Sequence, residues 1–258
     1  MSNALYWQVS GQGHDLVLVH GWGMNGAVWQ QIVDVLDVDF RVHVVDLPGY
    51  GHSAHCNAQN LEEIAEQLMV DAPKNAIWVG WSLGGLVATH MAIYHTDYVN
   101  KLVTVASSPK FSADKEPNMW RGIQPDVLTV FTEQLMENFQ TTIERFMALQ
   151  SMGSPSARKD VKQLKQAVLS RPLPDFDSLL AGLKMLSEID LRPQLTQIPV
   201  PMLRLYGRLD ALVPVDVAEV IGKVLPNTEQ YIFNQSSHAP FMTEANMFCE
   251  QLLRFANK

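Results

Sequence analysis

The chain has 258 residues, 47% of them hydrophobic, and a formal charge of -8 at neutral pH; this is enough for one large domain with a filled core, and its acidity speaks against nucleic acid as a partner, which calls for a basic surface. Two distant cysteines, Cys56 and Cys249, give neither a disulfide framework nor a zinc spacing. No run reaches the ~20 apolar residues of a bilayer span, and the first residues lack a secretory signal's basic and apolar regions, so a cytoplasmic, monomeric protein with no membrane, metal or cofactor requirement is expected.

Leu5 to Val9 alternates weakly before Gly11-Gln12-Gly13, which predicts an edge strand and a turn. Leu16 to His20 is apolar enough to be buried on both faces, and it runs into the Gly-rich stretch His20-Gly21-Trp22-Gly23. Val28, Trp29, Ile32, Val33 and Leu36 recur at helical spacing. Arg41 to Val45 is the next strand, ending in the rigid turn Asp46-Leu47-Pro48-Gly49, and Leu61, Ile64, Ala65, Leu68 and Met69 mark another helix. Then comes Ala76-Ile77-Trp78-Val79, followed by Gly80-Trp81-Ser82-Leu83-Gly84-Gly85 and a run of helix formers from Leu86 to Ala92.

After a strand from Lys101 to Ala106 the β signal disappears until about Asp190. Four amphipathic patterns replace it, carried by Leu128 and Leu135, by Ile143 and Phe146, by Leu164 and Val168, and by Leu179 and Leu186. Strand patterns return at Met202 to Tyr206 and Gln230 to Phe233, and one last helix holds Phe241, Phe248, Leu252 and Phe255. The expected architecture is α/β, a mostly parallel doubly wound sheet built from residues 1–110 and 191–258. A four-helix cap, residues 111–190, is inserted after the strand ending near Ala106 and belongs over the carboxyl edge of the sheet.

The chemistry centres on Ser82. A G-x-S-x-G between a strand and a helix is a nucleophile elbow: the small residues let strand and helix approach, and the hydroxyl is presented at a helix N-terminus. Serine needs a base, and the base needs a carboxylate to fix its tautomer. His90 and His95 lie 8 and 13 positions along the same helix, roughly 12 and 20 Å away at the helical rise, so neither can serve. His20 suits ordering of its own loop. His238, in the loop between the last strand and the last helix, is the chosen base, and Asp210, in the loop leaving the preceding strand, is the acid; Asp190 and Asp216 are worse placed. The backbone N–H groups of Trp22 and Leu83 are the natural oxyanion donors.

With these residues in place the sequence resembles the α/β-hydrolase family over essentially its whole length, in the chain order Ser82, Asp210, His238. Leu18 to Gly23, Val45 to Gly49 and Val103 to Pro109 carry the general likeness. Within the family, the Trp81 elbow together with the cap run Glu144 to Gly153 is similar to the pimeloyl-acyl-carrier-protein methyl ester esterases of biotin synthesis. The resemblance implies a serine esterase that removes the methyl group from a pimeloyl chain held on acyl carrier protein, with activity on small esters too. It implies substrate contacts at Trp22, Ser82, Leu83 and His238, and an acyl channel lined from the cap by Phe146, Met147, Ala148, Leu149 and Gln150. It also implies carrier docking through cap arginines: Arg145 and Arg158 match, Lys162 stands where an arginine is expected, and Thr141 replaces another.

The charge pattern bears on the same point. Between Thr141 and Arg171, six basic residues (Arg145, Arg158, Lys159, Lys162, Lys165 and Arg171) face only Glu144 and Asp160, on an otherwise acidic chain. Such a patch suits electrostatic steering of an acidic carrier domain; its alternative is a solvated helix face. Rival functions at this stage are a general short-chain carboxylesterase, a carbon–carbon bond hydrolase with the same triad, and a hydrolase-fold protein that binds a ligand without turnover.

Overall fold

The computed structural model describes residues 4–114 and 119–258. Residues 1–3, part of the stretch read for a signal, and 115–118, part of the expected cap, lie outside the described residues. The strands are β1 (Trp7–Ser10), β2 (His14–Val19), β3 (Phe40–Val45), β4 (Ala76–Trp81), β5 (Val99–Val105), β6 (Met202–Gly207) and β7 (Glu229–Phe233). They form one sheet in the order β1-β3-β2-β4-β5-β6-β7. Only β1 runs antiparallel, on the edge against β3. The central strand β4 buries every residue, and β2 buries all of Leu16 to Val19, because helices cover both faces of the sheet.

The order reverses between β2 and β4, whose register pairs Val19 with Gly80. A crevice forms outside the carboxyl ends of strands at such a switch point. The register therefore sets the Gly-rich loop after β2 beside the elbow after β4.

Helices α1 (Gln30–Leu36), α2 (Leu61–Met69) and α3 (Leu83–Tyr94) accompany the first strands. The helix expected from Val28 begins instead as a 3₁₀ turn, Gly26–Trp29, capped by the Asn25 side chain, which accepts from Ala27 N. Asn60 caps α2 by accepting from Glu63 N, while Glu63 reaches back to accept from Gln59 N. That is a variant of the capping box, with the return bond made by the residue before the N-cap.

Between β5 and β6 come α4 (Pro125–Glu137), α5 (Phe139–Ser151), α6 (Ala157–Leu169) and α7 (Phe176–Glu188), one for each amphipathic pattern. Polar ties seat three of them on the loops at the carboxyl edge. From α7, Leu179 O accepts from Trp22 Nε1 at 2.9 Å and Ser178 O from Tyr50 OH at 3.3 Å. Just past α6, the buried Arg171 guanidinium pairs with the buried Asp46 carboxylate at 2.7 Å. From α5, Gln150 O accepts from His238 N at 3.0 Å.

The chain closes with α8 (Asp216–Val224), α9 (Pro240–Thr243) and α10 (Ala245–Ala256). The single closing helix expected from the sequence is thus two, broken at Glu244. That carboxylate turns back to accept from Ser236 Oγ at 2.6 Å and Gln235 N at 3.0 Å, so it braces the loop after β7. Among the described residues, no helix is long and apolar enough to cross a membrane.

Candidate active site

Ser82 joins β4 to α3 with φ 55° and ψ -119°, a left-handed conformation that costs a non-glycine residue of order 1–3 kcal/mol. The turn closes because its neighbours lack side chains. A Cβ on Gly80 would lie 2.7 Å from the Gly85 Cα, and one on Gly84 would strike the carbonyls of Val19 and His20. Backbone bonds hold the strain in place: Ser82 N donates to Val105 O at 2.9 Å and Gly85 N to Ser82 O at 2.8 Å. Ser107 Oγ donates to the same Ser82 carbonyl at 2.8 Å. The side chain thus stands at the first turn of α3, where unpaired N–H groups and the helix dipole favour negative charge.

Two further loops meet it there. His238 Nε2 lies 2.9 Å from Ser82 Oγ, and His238 Nδ1 lies 2.7 Å from Asp210 Oδ2. An ionised carboxylate can only accept, so the proton belongs on Nδ1 and the Nε2 lone pair faces the serine hydroxyl. The other carboxylate oxygen accepts from Leu212 N at 2.8 Å and Val213 N at 3.0 Å, which pins Asp210 in its loop. His238 is fully buried. Its carbonyl accepts from Trp81 Nε1 at 2.7 Å, so the residue before the serine also anchors the imidazole's backbone. In this geometry the serine can lose its proton to His238 as it attacks.

The Gly-rich loop also closes on the serine. A Cβ on Gly21 would sit 3.1 Å from the Ser82 Cβ. Among the described residues, neither Trp22 N nor Leu83 N donates to another group, so both remain available to an oxyanion. His20, as the sequence suggests, orders this loop: Nδ1 donates to Gly21 O at 2.8 Å, and Nε2 accepts from Leu47 N at 3.0 Å. Burial pushes its pKa down to about 4, although the Asp46 carboxylate opposes the shift. The neutral imidazole is the form whose two bonds both survive.

Ser82 opens onto a cavity in which, among the described residues, it is the only polar lining group. The walls include Phe131 of α4, Phe146 and Leu149 of α5, Leu183 and Leu186 of α7, and Leu212 of the acid loop. Of the five consecutive cap residues expected to line an acyl channel, two, Phe146 and Leu149, line this cavity. Met147 faces α6 beside Lys165 and Val168, Ala148 is exposed, and Gln150 is buried with both side-chain polar atoms unpartnered, meeting His238 through its backbone. The reason is geometric, since five consecutive residues span more than one helical turn and cannot share a face. Sequence reasoning missed Ser107, the carbonyl partner of the elbow, and the contributions of α4 and α7.

The basic residues of the insertion also sort themselves. Arg145, Arg158, Lys159, Lys162 and Lys165 are exposed, whereas Arg171 is buried against Asp46. Asp160 is buried too and accepts from Ser154, Ser156 and Thr243 hydroxyls. One charge of each sign thus leaves the surface, and the excess there is unchanged. Lys165 is tied to Glu144 at 2.7 Å. Arg145 donates to the neutral Gln134 Oε1, and among the described residues Arg158, Lys159 and Lys162 make no ion pair. As for metal ligands, the sequence suggests no spacing, yet Glu62, His90 and His95 bring three ligand atoms together at the far end of α3.

A family model described as the α/β hydrolase fold matches residues 16–245. The chain belongs to the α/β-hydrolase family. Along its full length this hydrolase is 79% identical to the pimeloyl-[acyl-carrier protein] methyl ester esterase of Vibrio atlanticus (strain LGP32), over all of both chains. It is 70% identical to the enzyme of the same name from Vibrio vulnificus (strain CMCP6), again over all of both. Among solved structures, a bromoperoxidase from Bacillus anthracis superposes with a TM-score of 0.88 over 98% of this chain and 95% of that one, at 22% identity. That likeness speaks to the fold alone.

Proposed function

We propose that this hydrolase is a serine esterase that cleaves the methyl ester of a pimeloyl chain carried on acyl carrier protein, releasing methanol. The observation that carries the chemistry is the Ser82–His238–Asp210 relay of 2.9 and 2.7 Å at the mouth of an apolar cavity. The substrate rests on the names of relatives at 70–79% full-length identity.

Ser82 Oγ attacks the ester carbonyl while His238 Nε2 takes its proton, and Asp210 stabilises the imidazolium. The N–H groups of Trp22 and Leu83 hold the oxyanion. Methoxide leaves as methanol with the proton from His238. Water then attacks the acyl-enzyme with the same histidine as base, which returns the free acid and the serine. The walls named above suit a methylene chain, and residues 111–190 act as the lid that holds it. The exposed Arg145, Arg158 and Lys162 steer the acidic carrier toward that lid. Lysine at 162 keeps the charge and gives up the bidentate fork of arginine.

Side-by-side kinetics on carrier-bound and free methyl esters test this. The Ser82→Ala variant should lose both activities by several orders of magnitude. Joint reversal of Arg145 and Arg158 to Glu should lower kcat/KM on the carrier-bound ester about tenfold or more while sparing the free ester. Equal loss on both esters would remove the docking assignment, and wild-type preference for small free esters would favour a general carboxylesterase.

A further inference from the structure

At the end of α3 opposite Ser82, three side chains converge that the esterase chemistry does not use. His90 Nε2 lies 3.1 Å from Glu62 Oε2, and His95 Nε2 lies 3.9 Å from Glu62 Oε1. The three ligand atoms all fall within 4.8 Å of one another. We propose that Glu62, His90 and His95 form a binding site for a first-row divalent cation, zinc above all, that clamps α2 to α3.

The local fold explains the convergence. Residues five apart on a regular helix point to different sides. However, α3 stops at Tyr94, and His95 leaves helical geometry with φ -130° and ψ 53°, so its ring swings back to 5.6 Å from that of His90. Glu62 arrives from the first turn of α2, held there by the capping box at Asn60 and Glu63. Its presence has an ordinary explanation, because an acidic residue in a first turn complements the helix dipole, and a Glu62–His90 pair alone would satisfy a buried histidine. That explanation leaves out His95. Its Nε2 is buried with no hydrogen-bond partner, although it points to within 3.9 Å of a carboxylate that is already engaged. A cation between the three groups gives this orphaned nitrogen a partner.

The donor set selects the ion. Two imidazoles and one carboxylate suit zinc, nickel, cobalt or copper, and not magnesium or calcium, which take oxygen shells. Zinc bonds of about 2.0–2.2 Å place tetrahedral ligands roughly 3.3 Å apart, so the groups need to close by an ångström or so, within the reach of side-chain rotation. Glu62 keeps 57% of its side chain exposed, which leaves an entry path and room for water as a fourth ligand. The site stands apart from the relay, since His90 and His95 lie near the end of α3 and just beyond it, 8 and 13 residues along the chain from Ser82. The bound ion is therefore structural.

The test uses the full chain, freed of metal by a chelator and dialysis, then titrated with zinc chloride in a calorimeter, with thermal unfolding and ester hydrolysis followed in parallel. One ion per chain should bind, the thermal midpoint should rise with zinc, and hydrolysis should stay unchanged. Glu62→Gln and His95→Gln should each weaken binding at least about tenfold, as even the loss of an outer-shell partner costs that much. Both changes lie near the surface and keep side-chain size, and unliganded midpoints near that of the wild type would show intact folding. Absence of saturable binding would overturn the proposal. So would equal affinity in the variants, or binding that disappears with His238→Ala, which would put the ion at the relay.

Discussion

The two sides of Ser82 are built on opposite principles. On one side, His238, Asp210 and the Gly-rich loop form a network of directional polar bonds: Asp210 faces three donors, His20 both donates and accepts, Ser107 holds the elbow carbonyl, and, among the described residues, the Trp22 and Leu83 N–H groups are left open. On the other side, among the described residues, the cavity wall offers no polar side chain besides the serine itself. Directional bonds determine where a proton goes, whereas an apolar wall determines only what fits. The first region governs whether an acyl group is cleaved, and the second governs which one.

This contrast can be broken at several points. Asp210→Asn leaves the imidazole in place but removes the acceptor that keeps the proton on Nδ1, and kcat should fall about 10⁴-fold. The fall should be the same for acetyl and six-carbon esters, measured as kcat on a p-nitrophenyl series; a loss that grew with chain length would mean the two regions are not separable.

A smaller effect should appear in stability against pH. His20 is held neutral with a pKa of about 4 against 6.5 in the unfolded chain. Between those values the unfolded chain takes up a proton that the folded chain refuses. The stability is thus complete above pH 6.5 and drains away as pH falls toward 4, by about 2 kcal/mol at pH 5. Denaturant midpoints at pH 7 and pH 5 check this, with His20→Gln expected to lack that part of the slope.

The mildest change lies on the apolar wall. Leu149→Ala should lower kcat/KM for a six-carbon ester about tenfold and leave an acetyl ester within about twofold, because the shorter chain does not need that wall.

The same contrast explains what could be read from the chain. Ser82, Asp210 and His238 each sit in a short loop directly after a strand, and strand ends in a parallel sheet share one edge, so loop position alone makes them neighbours. The four helices between β5 and β6 announced themselves by their periodicity. Their assembly did not. A pattern such as that of Leu183 and Leu186 says a helix face is apolar, not whether it meets another helix or a cavity, so the contributions of α4 and α7 stayed hidden. Arg171 reads as a surface charge because its partner, Asp46, lies 125 residues away, and Asp160 does so because Thr243, which joins the nearby Ser154 and Ser156 on its carboxylate, lies 83 residues away. Glu244 looked like one more helix residue, since nothing local shows that its carboxylate is claimed by the loop after β7. His95 was set aside once it proved too far from Ser82, and only the folded chain brings it back to Glu62.

Trp22 joins the two regions in a single residue. Its backbone N–H is the proposed oxyanion donor, while its indole donates to Leu179 O and packs edge-on to Phe146 with ring centroids 4.9 Å apart. The fit against α7 is close enough that a Cβ on Gly182 would lie 2.5 Å from the Trp22 ring. The helical insertion is therefore not an interchangeable module. A lid transplanted from another member of the family to alter selectivity would have to bring a carbonyl at the place of Leu179 and a glycine at the place of Gly182, or it would shift the backbone proposed to hold the oxyanion and change the rate along with the specificity.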